Sequence, residues 1–401
     1  MTETTNPMGH GASGCFDTSR TRVTLVWLEG TSPGTAAATH LEGTKRRIEH
    51  LGFEIEEVVA SSNESRGLVG KLKRLFRLVN GLRGADPTSV VIARWHPLLA
   101  LGSRRFRRRG GKIVLLVQGV DSAGYEANGW LGRLPVMPWL VRKSIERTDS
   151  IVALNVGIER WLIESRYVRE GVPVVLMDSG VADVYFEAGA RESTDPKRYV
   201  SFVGSLARWQ GIDVLVDALA SSHWPADVVL RVAGDGVEAP RLSAAPPGSL
   251  EWLGRLKPAD AAELVAGSIC TVCPKHASES MAEVTTPFKI LESVAAGVPV
   301  VASDIPAQRR MLEAGGYGLL FEAGDAESLA DAVARLATDD PLRSRLSANA
   351  RSAAPQFRWE SQAHILGEAV RAVSMPDRSL SRRVGPVGVR RRVVSPRRVA
   401  G

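Results

Sequence analysis

Lys289 and Glu292 stand three residues apart in Thr285-Thr-Pro-Phe-Lys-Ile-Leu-Glu-Ser-Val-Ala-Ala-Gly-Val-Pro-Val-Val-Ala302, a stretch with helix signals at both ends. Thr286 has the form of an N-cap and Pro287 of a first helical residue, while Gly297 and Pro299 end the helix before an apolar run. The free N–H groups and positive dipole of such a terminus attract an anion, and Lys289 in the first turn fits a bound phosphate. At i and i+3 the two side chains share a helix face, so cation and carboxylate can grip a phosphate and a hydroxyl of one ligand. The plainer alternative is an ion pair on a solvated surface.

Glycines at the ends of β-rich runs form a second group. Gly204 follows Tyr199-Val-Ser-Phe-Val203, Gly234 follows Leu230-Arg-Val-Ala233, and Gly254-Arg255 follows Leu250-Glu-Trp-Leu253. A glycine at such a point lets backbone approach a phosphate or sugar closely. Arg208, just past Gly204, adds a cation.

Such groups need a scaffold that gathers strand ends. Apolar runs at 22–28, 53–59, 89–93, 112–117, 150–154 and 172–177 alternate with helix-length segments, and a second series runs through 199–203, 228–233, 250–253, 269–273, 298–303 and 318–321. This alternation predicts an α/β protein with two doubly wound parallel, Rossmann-like sheets facing across a cleft, with ligands at the C-terminal strand ends. The expected organisation is a disordered start at 1–20, one domain at 21–190, a second at 191–360, a helix at 361–375 and a disordered basic tail at 376–401. A polar stretch from Ala188 to Lys197 is the expected linker.

The chain of 401 residues carries a formal charge of +7, and its last 26 residues hold eight arginines against Asp377, which accounts for all of it. The body is therefore neutral, which gives specific nucleic-acid recognition no support. Three cysteines are too few for a disulfide scaffold, and no apolar run reaches the roughly 18 residues of a spanning helix, so a cytoplasmic location is expected. Cys270 and Cys273 have metal-like spacing but fall in an apolar strand, where residues three apart point to opposite faces.

Taken in order, Gly204-x-Leu-x-x-Trp-x-Gly211, Ala233-Gly-Asp-Gly236, Trp252-Leu-Gly254, Thr286-Pro-Phe-Lys-Ile-Leu-Glu292, Gly318-Leu-Leu-Phe-Glu-Ala-Gly-Asp325 and Phe357-Arg-Trp359 resemble the nucleotide-sugar half of retaining GT-B glycosyltransferases of the family 4 type. The subgroup with Thr/Ser-Pro-x-Lys-x-x-Glu in place of the two-glutamate motif matches best. The resemblance covers about Val181 to Leu366 and implies a hexosyl or glycosyl transfer from a UDP- or GDP-linked sugar to a glycan or lipid-linked acceptor, with retention and no cofactor. It implies Glu292 on the ribose hydroxyls, backbone near Thr286 and Pro287 on the diphosphate, and Arg255 beside the base. Two departures stand out: Val284 lies where many members have a first glutamate, and Ser205 and Gln210 replace an Arg and Lys pair. Arg208 and Lys289 are the candidate replacements.

In the N-terminal half, Ser32 and Gly34 lie in the loop after the first strand, where the family places a phosphate- and acceptor-bordering glycine loop. Gln118 follows a mid-domain strand where the family often has a histidine; it can hydrogen-bond a sugar but cannot shuttle a proton. His96 after another strand is either a catalytic candidate or a packed loop residue. The absence of any Asp-x-Asp predicts metal-independent chemistry. Leu68, Leu72, Leu75, Phe76, Val79 and Leu82 form a helical stripe among Lys71, Lys73, Arg74, Arg77 and Arg83. It fits either a domain helix packed on the sheet or, with the arginines at 104–109, the apolar cluster at 130–140 and the basic tail, a peripheral contact with an anionic membrane at its inner face. A catalytically degenerate subunit that binds nucleotide or a partner transferase stays open as an alternative, as does a nucleotide-sugar epimerase.

Overall fold

The computed structural model describes residues 21–27, 36–59, 68–119, 134–191, 197–277 and 288–374. Ser32, Gly34, Val284, Thr286, Pro287 and both chain ends, named above from the sequence, lie outside those residues.

The first sheet comprises β1 (Arg22–Trp27), β2 (Glu54–Val59), β3 (Val90–Arg94), β4 (Lys112–Val117), β5 (Ser150–Ala153) and β6 (Val174–Leu176). Its order is β2-β1-β3-β4-β5-β6 and every pairing is parallel, with Val23 opposite Val90 and Val90 opposite Lys112. Burial is continuous through the middle of this sheet because helices cover both faces. They are α1 (Ala36–His50), α2 (Leu68–Gly84), α3 (Leu99–Arg108), α4 (Met137–Glu146) and α5 (Val156–Glu164).

The second sheet comprises β7 (Tyr199–Val203), β8 (Val229–Ala233), β9 (Leu250–Gly254), β10 (Thr271–Cys273), β11 (Val300–Ser303) and β12 (Gly318–Phe321), all parallel, in the order β12-β11-β10-β7-β8-β9. Cys270 belongs to the core on one face and Cys273 to the core on the other, as strand alternation requires. Helices α6 (Asp183–Gly189), α7 (Ile212–Leu219), α8 (Pro258–Ala266), α9 (Phe288–Ala295), α10 (Pro306–Gly315), α11 (Ala326–Thr338) and α12 (Asp340–Ala353) surround it. A last helix, α13 (Ala363–Ser374), returns to the first sheet, where Leu366, Ala369 and Val370 join Val23, Leu25 and Val114.

Trp359 holds the crossover. Its ring fills the space that a Cβ would take at Gly43 (2.1 Å) and at Gly180 (2.4 Å), and the Arg47 guanidinium lies 4.9 Å from the ring centroid. Arg47 also donates to the Trp359 and Asp178 carbonyls.

Two expectations change. Ala188 and Gly189, read as linker, close α6: Tyr185 and Ala188 bury against Ile290 and Val294, and Gly189 lies so close to the Ala296 carbonyl that an added Cβ would sit 2.5 Å from its oxygen. The chain thus enters the second domain's packing before residue 191, because an i, i+3 apolar pair outweighs the polar flank. Phe76, placed on the packed stripe, is 71% exposed, whereas Leu78, Val79 and Leu82 carry the burial.

Candidate functional site

In an open parallel sheet the crevice lies where strand order reverses, outside the carboxyl ends. In the second sheet that point falls between β7 and β10. Gly204 leaves β7 with φ +145°, and Gly234 leaves β8 with φ +148°, backbone that side chains rarely adopt. The two turns are laced: Gly204 N–H donates to Ala233, Gly234 N–H to Gly254 at 2.7 Å, and Trp252 Nε1 to the Gly234 carbonyl. A Cβ at Gly234 would lie 1.8 Å from the Gly204 oxygen, so only glycine fits.

Lys289 reaches this shelf from α9. Its Nζ donates to Gln210 Oε1 at 2.9 Å, lies 4.6 Å from the Phe202 ring centroid, and would stand 2.7 Å from a Cβ at Gly204. Burial, with a push from the Lys275 ammonium, pulls its pKa down to about 8. Lys275 follows β10, is itself buried, and places Nζ 5.2 Å from the Trp209 ring centroid. Two lysines thus converge at the switch point in surroundings that penalise their charge, an arrangement that favours an incoming anion.

Glu292 does not pair with Lys289 as a surface ion pair. Burial raises its pKa to about 7, and its carboxyl takes a hydrogen bond from Tyr185 of α6. The helix face is shared, but the two groups have separate partners, so each keeps capacity for a ligand. Near neutrality Glu292 can accept from a hydroxyl or, when protonated, donate to one.

The other candidates divide. Gly204, Gly234 and Lys289 come together, with Gly254 behind them. Arg208 does not join them: it is 87% exposed and lies 3.8 Å from Glu238. Arg255 is also largely exposed, 3.7 Å from Asp235, at the rim. Lys275 and Tyr185 are functional candidates that motif reading passed over, and Gln210 entered there only as a departure from the motif. Lys275 carried a usable signal, its place just after a buried strand.

In the first sheet the order reverses between β1 and β3, and His96 and Gln118 follow β3 and β4. His96 has the features of the packed alternative. Its Nδ1 accepts from Leu98 N–H ahead of α3, and burial with the nearby Arg94 charge lowers its pKa to about 4. Gln118 Oε1 is buried without a hydrogen-bond donor among the described residues, an acceptor left for something else. The two crevices face each other, since His40 near the start of α1 meets Phe288, the first residue of α9, with ring centroids 4.7 Å apart. Among the described residues no cluster of three His, Cys, Asp or Glu is arranged to hold a metal ion.

Two Rossmann-like sheets whose switch points face one another define the GT-B architecture. Solved structures agree: sucrose-phosphate synthase from Thermosynechococcus elongatus superposes with a TM-score of 0.66 at 18% identity, covering 88% of this chain and 98% of that one. The Anabaena HepE protein in complex with UDP-glucose gives 0.66 at 17%, covering 88% and 99%. Residues 197–339 match the family model described as glycosyl transferases group 1. The chain is 36% identical over 234 residues to the phosphatidyl-myo-inositol mannosyltransferase of Mycobacterium leprae, which is 56% of this chain and 60% of that protein. It is 30% identical over 271 residues to the GDP-mannose-dependent alpha-mannosyltransferase of Mycobacterium tuberculosis, 65% and 67% of the two chains. The chain therefore spans about three fifths to two thirds of the length of these curated relatives, and it belongs to the group 1 glycosyltransferase family.

Proposed function

We propose that this chain transfers a sugar from a UDP- or GDP-linked donor, held at the second sheet's switch point, to a glycan or lipid-linked acceptor held by the first domain. The observation that carries this reading is Lys289 bonded to Gln210 over Gly204 at the end of β7, with Lys275 from the end of β10 near it and Glu292 one turn further along α9. The ammoniums and the backbone there suit a diphosphate, and Glu292 suits ribose hydroxyls one helical turn away. We assign a family 4 type, retaining and metal-independent reaction. In that course the leaving diphosphate takes the acceptor proton on the face it departs from, so no strong protein base is needed. The protein's task is to stabilise developing phosphate charge, which falls to Lys289 with Lys275 beside it, and no longer to Arg208. Gln118, with its unpaired buried oxygen, is suited to a sugar or acceptor hydroxyl. A GDP-mannose-dependent relative and a phosphatidyl-inositol-dependent one support the donor and acceptor classes.

The acceptor side also bears on location. Helices α2, α3 and α4 lie side by side on one face of the first sheet, carrying five, four and two Lys or Arg and a single acid, Glu146, which Arg142 and Lys143 neutralise. Lys73, Phe76 and Arg77 of α2, Leu101, Arg104 and Arg105 of α3 and Trp139 of α4 are exposed. The side chains of Lys71 and Arg74 lie outside those described. Apolar tips among cations suit the surface of an anionic bilayer, and with it a lipid-linked acceptor in a peripheral, cytoplasmic setting. No helix among the described residues is long and apolar enough to cross a membrane.

A thermal-shift panel of UDP- and GDP-sugars tests the donor reading, since a ligand that binds only the folded state raises the melting temperature. One donor giving a clear shift that Glu292→Ala abolishes is the expected result. No shift with any donor at millimolar concentration would count against it and favour a degenerate subunit.

A further inference from the structure

Gln210 ends a short 3-10 turn, Arg208–Gln210, and is 4% exposed. Its Oε1 accepts from Lys289 Nζ, while the Phe202 ring lies beside the ammonium and the absent Cβ of Gly204 makes room for it. A residue from the turn after β7 thus orients an amine that arrives from α9. The position matters because the resembling family motif has a lysine there. Lysines at both 210 and 289 would crowd two ammoniums into one hydrogen-bonding distance, so an acceptor in place of a cation at 210 suits a cation delivered from α9.

We infer that Gln210 is a positioning residue for donor binding: its amide oxygen holds the Lys289 ammonium over Gly204, where it meets the diphosphate in place of a cation from the opening loop. This rests on the donor-site reading above and adds to it the origin of the cation and the part of Gln210. The groups that face Lys289 are Cys273 at the end of β10, Lys275 after it, and Glu292 on α9 with Tyr185 of α6 against it.

The test is titration calorimetry of the full chain with UDP and GDP from pH 7 to 9, above the last phosphate proton at about pH 6. In the wild type, affinity falls as pH rises through about 8, because the ammonium is being lost. Gln210→Glu, close in size, moves that midpoint upward by about one pH unit or more, since a carboxylate favours the ammonium. Gln210→Met moves it downward by removing the acceptor, and Gln210→Asn does so by less. A simple packing role would leave the midpoint unmoved. Melting curves establish which variants fold, and any folded one decides the sign. Lys289→Met loses the pH step and weakens binding about 10-fold or more. An unmoved midpoint in the folded Gln210 variants, with the step still lost in Lys289→Met, overturns this inference and leaves the donor site standing. Full affinity and an intact step in Lys289→Met, or no binding of either nucleotide to the wild type, overturns the donor-site reading and this inference with it.

Discussion

Replacing Gly204 by alanine separates what the glycine does for the fold from what it does for the ligand. The new Cβ would lie 2.7 Å from Lys289 Nζ and 2.9 Å from its Cε, and among the described residues beyond its chain neighbours nothing else is within 4 Å. The atoms that must yield are the far end of a flexible side chain, so the native state pays mainly for the unfavourable φ of +145°, about 1–3 kcal/mol. The ammonium, however, is driven off Gln210 and away from the shelf. A hydrogen bond to a charged group contributes about 1.5–3 kcal/mol, so nucleotide affinity should fall about 10- to 150-fold while the protein stays folded. Calorimetry with UDP and GDP beside a melting curve measures both. Gly234→Ala is the control with the opposite balance: its Cβ would meet the Gly204 backbone oxygen at 1.8 Å, which cannot swing aside, so stability should fall along with binding. Wild-type nucleotide affinity in a folded Gly204→Ala protein would refute the placement of Lys289 at the donor.

Glu292, with a folded pKa near 7 against an ordinary 4.5, binds its proton more tightly in the native state. Stability should therefore decline as pH rises from about 4.5 to about 7, by roughly 3 kcal/mol from this group, and Glu292→Gln should flatten that decline in urea midpoints taken against pH. Trp359→Ala should cost about 3–5 kcal/mol, because a buried ring clamped at Gly43 and Gly180 leaves a cavity where the domains join; loss of cooperative melting would report it. Phe76→Ser with Arg77→Glu should weaken cosedimentation with phosphatidylserine-containing vesicles while leaving donor binding unchanged; unchanged cosedimentation would remove α2 from the membrane reading.

The two alternating series are legible in the chain alone, and most strand ends fall within one or two residues of those expected, because apolar β-branched runs between glycines leave the backbone few choices. The sequence also marked Gly204, Gly234 and Gly254, all at positive φ, where turn geometry is a local property. Spacing put Lys289 and Glu292 on one helix face but left open whether they pair with each other. Packing settles that, by bringing Gln210 from one turn and Tyr185 from another helix to take them separately. Arg208 and Gln210 are two residues apart, and the chain alone does not say which points inward; packing buries the glutamine and leaves the arginine in solvent. His96 shows the same limit, since its capping of a turn depends on where α3 starts. Local preferences act over a few residues and are written in order along the chain, whereas the charge environment of Lys289 is set by groups such as Gln210, 79 positions away, which meet it only when the second sheet and its helices have packed together.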